Sequence, residues 1–336
     1  DSVASRGLGD VYKRQVKHPL NPERISPVMK NTKWIALAGA VLVSGLLAYP
    51  MRAGEMAKAE QEAANKAKTS RVLKVAITRN FFTNFPERII KLVMQPFPEI
   101  VKKQTDLPGS IDLCAKSNQL AEQLANGDCH LAVFNSHEFL WARAKNPKLK
   151  PLMLAENKTT PLKAYLVVNK DDGIKNIAQL EKKEVCVPGN SRPFAEAFLE
   201  YQCCKPGQAP KDFYSSLRKT DDAEEALDSL ADGKTQAVLV EKAAWERYLK
   251  RKPTMAQNLD VVKESEDFLP AVIAYIPEHM PPGWSDIFRK GMMAANENPA
   301  TTKLMTLVKI SSFLEVPENF EDRAAEMLKR YPPSGK

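Results

Sequence analysis

The sequence predicts an α/β protein of two lobes, each built on a mostly parallel sheet, joined by two hinge crossings. Three observations carry this. From Val72 the chain alternates strand and helix patterns. From Glu184 the same grammar repeats with different residues. Between and after these runs lie strands that belong to neither repeat, at 161–172, 259–265 and 271–277. The simplest path enters lobe 1, crosses to lobe 2 and returns, so that lobe 1 comprises 72–162 plus 263–332 and lobe 2 comprises 163–262.

The first run opens with "VLKVAIT" (72–78), a short apolar strand. A helical pattern follows over 85–104, interrupted near Pro96 and Pro98, where ring sterics and a missing donor oppose continuation. "SIDLCAK" (110–116) is a strand, 118–126 a helix, "CHLAVFN" (129–135) a strand, and Ser136 to about Lys145 a helix. In the second run "EVCVPG" (184–189) is a strand and 192–204 a helix. Then come strand 213–220, helix 222–232 capped by Asp221 or Asp222, strand 235–241 and a helix from Lys242 to about Arg251. Three helices close the chain, at 284–297, 301–313 and 318–330. The repeats echo each other in detail: "LANGDCHLAVFN" (124–135) aligns without gaps with "LADGKTQAVLVE" (230–241). Gly127 and Gly233 each end a helix where a positive φ is needed.

The first 71 residues read differently. Residues 1–28 serve neither a signal nor a fold and read as a non-native leader, similar to translated sequencing-adapter read-through. Residues 29–59 read as a signal peptide or a membrane anchor. Lys30 and Lys33 precede the uncharged stretch Trp34–Met51, and the small-residue patterns "RAG" and "AKA" place cleavage near Ala59. The alternative is retention, since eighteen uncharged residues almost span a bilayer. No Cys follows the apolar run, so lipid attachment is not indicated. Ala-rich, charged residues 60–71 form a spacer.

Composition excludes several functions. The net charge is +8, yet residues 1–59 hold nine Lys/Arg against four Asp/Glu, and the other 277 residues hold 40 against 37. The body is nearly neutral and has no basic stripe interleaved with aromatics, so nucleic acid is not an expected partner. The four His are scattered and no CxxC occurs, so no metal or cofactor is expected. No nucleophile–base set stands out, so no catalytic residue is assigned and the chain is not read as an enzyme. The adjacent Cys129 and His130 face opposite sides of a strand. Export would permit a disulfide between Cys186 and Cys203 or Cys204; the other reading is that all five Cys are small buried apolar residues.

In open parallel sheets, ligands sit beyond the C-terminal strand ends. Those ends supply the candidate ligand-binding residues: Thr78, Arg79 and Asn80; Asn135, Ser136 and His137; Asn190, Ser191 and Arg192; and Glu241. "GNSRPF" (189–194) places small polar residues and a guanidinium at a helix N-terminus, where free N–H groups favour an anion. Ser191 also suits a helix cap, and Arg192 either forks onto a phosphoryl or carboxylate group or faces solvent. Ser136 also suits a cap, and His137 beside an anion would be held protonated. Glu241 suits an amino group on a zwitterion or an ion pair with Arg79 or Lys242. Trp141 and Trp245 read as core.

Over residues 72–330 the chain resembles the type 2 periplasmic binding proteins, in the phosphate/phosphite/phosphonate-binding branch that serves ABC importers. The resemblance rests on "LKVAIT", on "SNQLAEQLANGDCHLAVFNSHEFLWARA" and on "YLVVNKDDGIKNIAQLEKKEVCVPGNSRPFAEAFL". In the last segment the family has a V-x-x-x-S-G-I-x-x-L-x-D-L-x-G-K-x-V stretch followed by a Ser/Thr-rich anion loop. The resemblance implies an exported, periplasmic, monomeric solute-binding protein. It would capture a small anionic or zwitterionic solute, such as a phosphonate, by hinge closure, and an ABC permease in the inner membrane would receive the solute. The alternative is a membrane-tethered sensor or signalling module with the same fold.

Overall fold

Strand β1 (Leu73–Thr78) is buried along almost its whole length, as expected of a central strand covered on both faces. The computed structural model describes residues 72–82, 85–156, 161–297, 299–307 and 310–333, all within the compact unit Met56–Lys336. The leader, the signal or anchor segment and the spacer lie outside the described residues.

After β1 come α1 (Glu87–Met94), α2 (Phe97–Thr105), β2 (Gly109–Cys114), α3 (Ser117–Asn126), β3 (Leu131–Phe134), α4 (Ser136–Lys145) and β4 (Lys150–Glu156). Alternation along β1 divides the core. Ile77 packs with Phe82, Ile90 and Met94 beneath α1. Ala76 packs with Leu120, Leu124, Phe134 and Phe139 beneath α3 and α4. Helix α3 stops at Gly127, whose φ of 75° lets its N–H reach back to the last carbonyls.

The chain then crosses to the second sheet: β5 (Ala164–Asn169), β6 (Glu184–Pro188), α5 (Pro193–Gln202), β7 (Ser216–Thr220), α6 (Ala223–Ala231), β8 (Ala237–Glu241), α7 (Lys242–Arg251) and β9 (Leu259–Glu264). The Asp222 carboxylate caps α6 by accepting from the N–H groups of Glu224 and Glu225. Gly233 follows that helix with φ 71°, matching Gly127. The chain returns through β10 (Ala271–Tyr275), α8 (Trp284–Met293), α9 (Pro299–Leu307), β11 (Ser312–Leu314) and α10 (Phe320–Arg330).

The first sheet has the order β11-β4-β10-β3-β1-β2, the second β7-β6-β8-β5-β9. Each contains a parallel trio, β2-β1-β3 and β7-β6-β8. The strands that follow the two crossings, β5 and β10, attach antiparallel to those trios. The crossings themselves pair: Ser265 N–H donates to Ala164 O at 2.9 Å, Ala164 N–H to Ser265 Oγ at 2.9 Å, and Phe268 N–H to Leu162 O at 2.8 Å. This is the two-lobed fold with two hinge crossings.

Several element readings are corrected. Strands β4 and β11 escape the sequence reading; β11 pairs antiparallel with β4, opposing Ser312 to Glu156, and it takes up the end of the expected helix 301–313. The expected strand 213–220 begins only at Ser216, because Pro210–Phe213 makes a helical turn. No disulfide joins Cys186 to Cys203 or Cys204. Cys186 packs on the α6–α7 side of its sheet, while Cys203 and Cys204 pack in the cluster that contains α5.

Candidate functional site

The loop after β6 carries a helix tip that is already occupied. The Arg192 position caps α5, and Pro193 at the first helical position has no N–H to satisfy. Ser191 is therefore one residue too early to cap; it is buried, and its N–H donates to Pro188 O. Instead the Glu241 carboxylate, arriving from the end of β8, accepts the Arg192 backbone N–H at 3.0 Å, Nε at 2.8 Å and Nη2 at 2.5 Å. The partner of Glu241 is thus Arg192, rather than Arg79 or Lys242. Nη1 takes no part in this pair, and the guanidinium lies 4.9 Å over the Phe194 ring. Asn190 is exposed at the loop tip.

The first sheet builds a different tip. Register places Ile77 opposite Val133, so Thr78 ends β1 level with the end of β3, two residues before α4 begins. Asn135 holds the cap position of α4 but makes no side-chain cap bond. Its amide donates instead to Glu138 Oε2 at 2.8 Å, while the Asn80 amide donates to Glu138 Oε1 at 2.7 Å. Glu138, buried in the first turn of α4, was not among the expected site residues. Its presence leaves the N–H groups of Ser136, His137 and Glu138 without an acceptor from the cap. Beside them Thr78 Oγ1 is buried with no partner. Arg79 turns outward to Glu87 at 3.9 Å, between two half-exposed side chains.

His137 belongs to the junction between the sheets. It is buried against Trp141, with ring centroids 5.0 Å apart, and against Phe268 at 6.2 Å. Burial pushes its imidazole down to about 4, so it is neutral near pH 7, contrary to the protonated state expected beside an anion. Phe268 in turn packs on Phe194 at 5.2 Å. An aromatic seam therefore runs from α4 through the second crossing to α5.

Other sequence features resolve as structure. His130 Nδ1 accepts the Lys74 N–H at 3.0 Å, and the neighbouring Cys129 is buried, its thiol pushed up to about 12 by burial. The pair forms no dyad. Trp245, on α7, is buried in the core of the second sheet, as expected. Among the described residues no group of three or more His, Cys, Asp or Glu is placed to hold a metal ion, and no helix is long and apolar enough to cross a membrane.

A search of curated proteins found no match. Solved structures share the fold. PhnD1 from Prochlorococcus marinus, in complex with methylphosphonate, is 15% identical over 78% of this chain and 99% of that one, with a TM-score of 0.53. XAC2383 from Xanthomonas citri, bound to ATP, is 12% identical over 78% and 97%, with a TM-score of 0.58. A binding protein component of an ABC phosphonate transporter from Pseudomonas aeruginosa is 12% identical over 76% and 85%, with a TM-score of 0.52. The family model described as "ABC transporter, phosphonate, periplasmic substrate-binding protein" matches residues 81–319. The chain therefore belongs to the periplasmic substrate-binding proteins of phosphonate ABC transporters, which capture a solute for import.

Proposed function

We propose that this protein captures a small phosphonate-type oxyanion between its lobes, with the anionic head seated on the first lobe at the start of α4. One observation carries the choice of seat: Thr78 Oγ1 is buried and unpartnered beside a helix tip whose cap residue is turned away. A buried hydroxyl without a partner is costly, and an anion bound at the tip would satisfy it together with the helix N–H groups. Ser136 adds a second hydroxyl at the same tip.

The second lobe contributes differently. Its own helix tip is filled by Glu241, so what it offers is the remaining edge of the Arg192 guanidinium, held in place by that carboxylate. Glu138 places a carboxylate at the seat, whereas Glu241 is already paired with Arg192. Glu138 favours a solute that also carries a positive group over a bare dianion. Closure brings the two lobes onto one ligand, and the closed form is selected because only it makes both sets of contacts.

The family is one of transport proteins rather than enzymes, and it works from the periplasm. We infer in addition that the protein acts as a monomer, and that an inner-membrane permease recognises its closed form. A thermal-shift series with methylphosphonate, aminoalkylphosphonates, phosphate, sulfonates and carboxylates tests the ligand class. A ligand at 100 times its Kd stabilises by about 2.7 kcal/mol. A response to phosphonates supports the reading, and a response confined to carboxylates or sulfonates overturns it.

A further inference from the structure

Two paired crossings leave a lobe free to rotate about them unless other contacts join the sheets. Such contacts exist at the end of α10. Trp141 Nε1, on α4 of the first lobe, donates to Tyr331 O at 2.8 Å. Gln202 Nε2, at the end of α5 in the second lobe, donates to the neighbouring Arg330 O at 3.2 Å. The Tyr331 ring, 1% exposed, lies 4.7 Å from Phe268 on the second crossing and 6.1 Å from Tyr201 on α5. The Arg330 guanidinium pairs with Glu266 on that same crossing at 3.2 Å.

We propose that the turn Arg330–Tyr331 is a clasp across the lobe junction, and that it sets the balance between open and closed forms of the unliganded protein. The reason is geometric. The Trp141 bond ties the turn to the first lobe. The Phe268 and Glu266 contacts tie it to the hinge. Tyr201 and Gln202 are the second lobe's share, and lobe rotation must roll or break that share. Tyr201 also packs on Trp141 with centroids 6.3 Å apart, so both sides of the junction meet at one place. Because the clasp touches none of the proposed ligand donors, it acts on the population of the binding-competent form rather than on ligand contacts.

The test needs no ligand, so its outcome is independent of the proposed function. Spin labels are placed in the full chain at Lys102→Cys on α2 and Lys250→Cys on α7, both exposed positions. The native thiols are buried. The distance distribution is measured in an otherwise unaltered background and with Tyr201→Ala plus Gln202→Ala, which removes the second lobe's contacts with the turn together with the Tyr201 contact to Trp141. The proposal expects the distribution to widen and its mean to shift, with the folded far-UV signal retained. Should that double variant fail to fold, Gln202→Ala with Arg330→Met serves, since it removes one exposed hydrogen bond and the ion pairs of Arg330 with Glu266 and Glu326; the same widening is expected, smaller in size. Distributions that superimpose on the unaltered background in a folded variant overturn the proposal.

Discussion

The carboxylate of Glu241 holds both the backbone N–H and the guanidinium of Arg192, 49 residues earlier in the chain. The pair closes the N-terminus of α5 with a charge from the same chain. The side chains are 20% and 15% exposed, so removing one partner strands a largely desolvated charge. Glu241→Ala is expected to destabilise the protein by about 2–4 kcal/mol in urea unfolding, and Arg192→Ala by a similar amount. The double variant should cost clearly less than the sum of the two. Strict additivity would show that the pair is not coupled.

His137 gives the protein a pH-dependent stability. Its folded-state value of about 4 lies below its ordinary 6.5, because burial disfavours the imidazolium. Between those values the unfolded chain binds more protons than the native state, so stability rises with pH there. Equivalently, stability is lost as pH falls from 6.5 towards 4, by about 3 kcal/mol in total. Urea midpoints measured from pH 7 to pH 4 should show this slope in the wild type. They should show a shallower one in His137→Phe, which keeps an aromatic ring against Trp141 and Phe268. Equal slopes would refute the assignment.

At Gly291, α8 lies tightly against the end of α2. A Cβ there would fall inside contact distance of the Gln104 carbonyl oxygen and 2.8 Å from Thr105 Cγ2. Backbone cannot step aside as a flexible side chain can. Gly291→Ala should therefore cost about 1–3 kcal/mol despite the better helix propensity of Ala. A neutral or raised thermal midpoint would show that the two helices are not so tightly apposed.

What the sequence made legible follows from local chemistry. Apolar runs, the positive-φ glycines Gly127 and Gly233, and the Asp222 cap are written in neighbouring residues, so the two strand–helix runs and the crossings could be read. Strand β4 was missed because "KPLMLAE" is a single apolar run, whose strand character comes from pairing with β10 more than a hundred residues away. The three residues of β11 carry too little pattern to read alone. At the site, the strand ends were found because topology puts ligands there, but charge placement was not. A Glu in the first turn of a helix reads as a surface residue. Only the fold brings Asn80, 58 residues distant, onto Glu138 and buries it. The same holds for Arg192, for which the sequence left ligand and solvent both open, and whose carboxylate partner Glu241 comes from 49 residues further along the chain.

Thr78 carries the account of the anion seat. Replacing it with Val keeps the shape and removes a buried hydroxyl that has no partner, so the unliganded protein should be as stable as wild type or up to about 1 kcal/mol more stable. If that hydroxyl donates to a bound oxyanion, its loss weakens binding by about 1.5–3 kcal/mol, tenfold or more. Calorimetric titration of methylphosphonate into both proteins decides the matter. The account predicts binding to the wild type and at least tenfold weaker binding to Thr78→Val, with an unfolding midpoint that does not fall. Equal affinity in the two proteins, or no binding to the wild type, would contradict it.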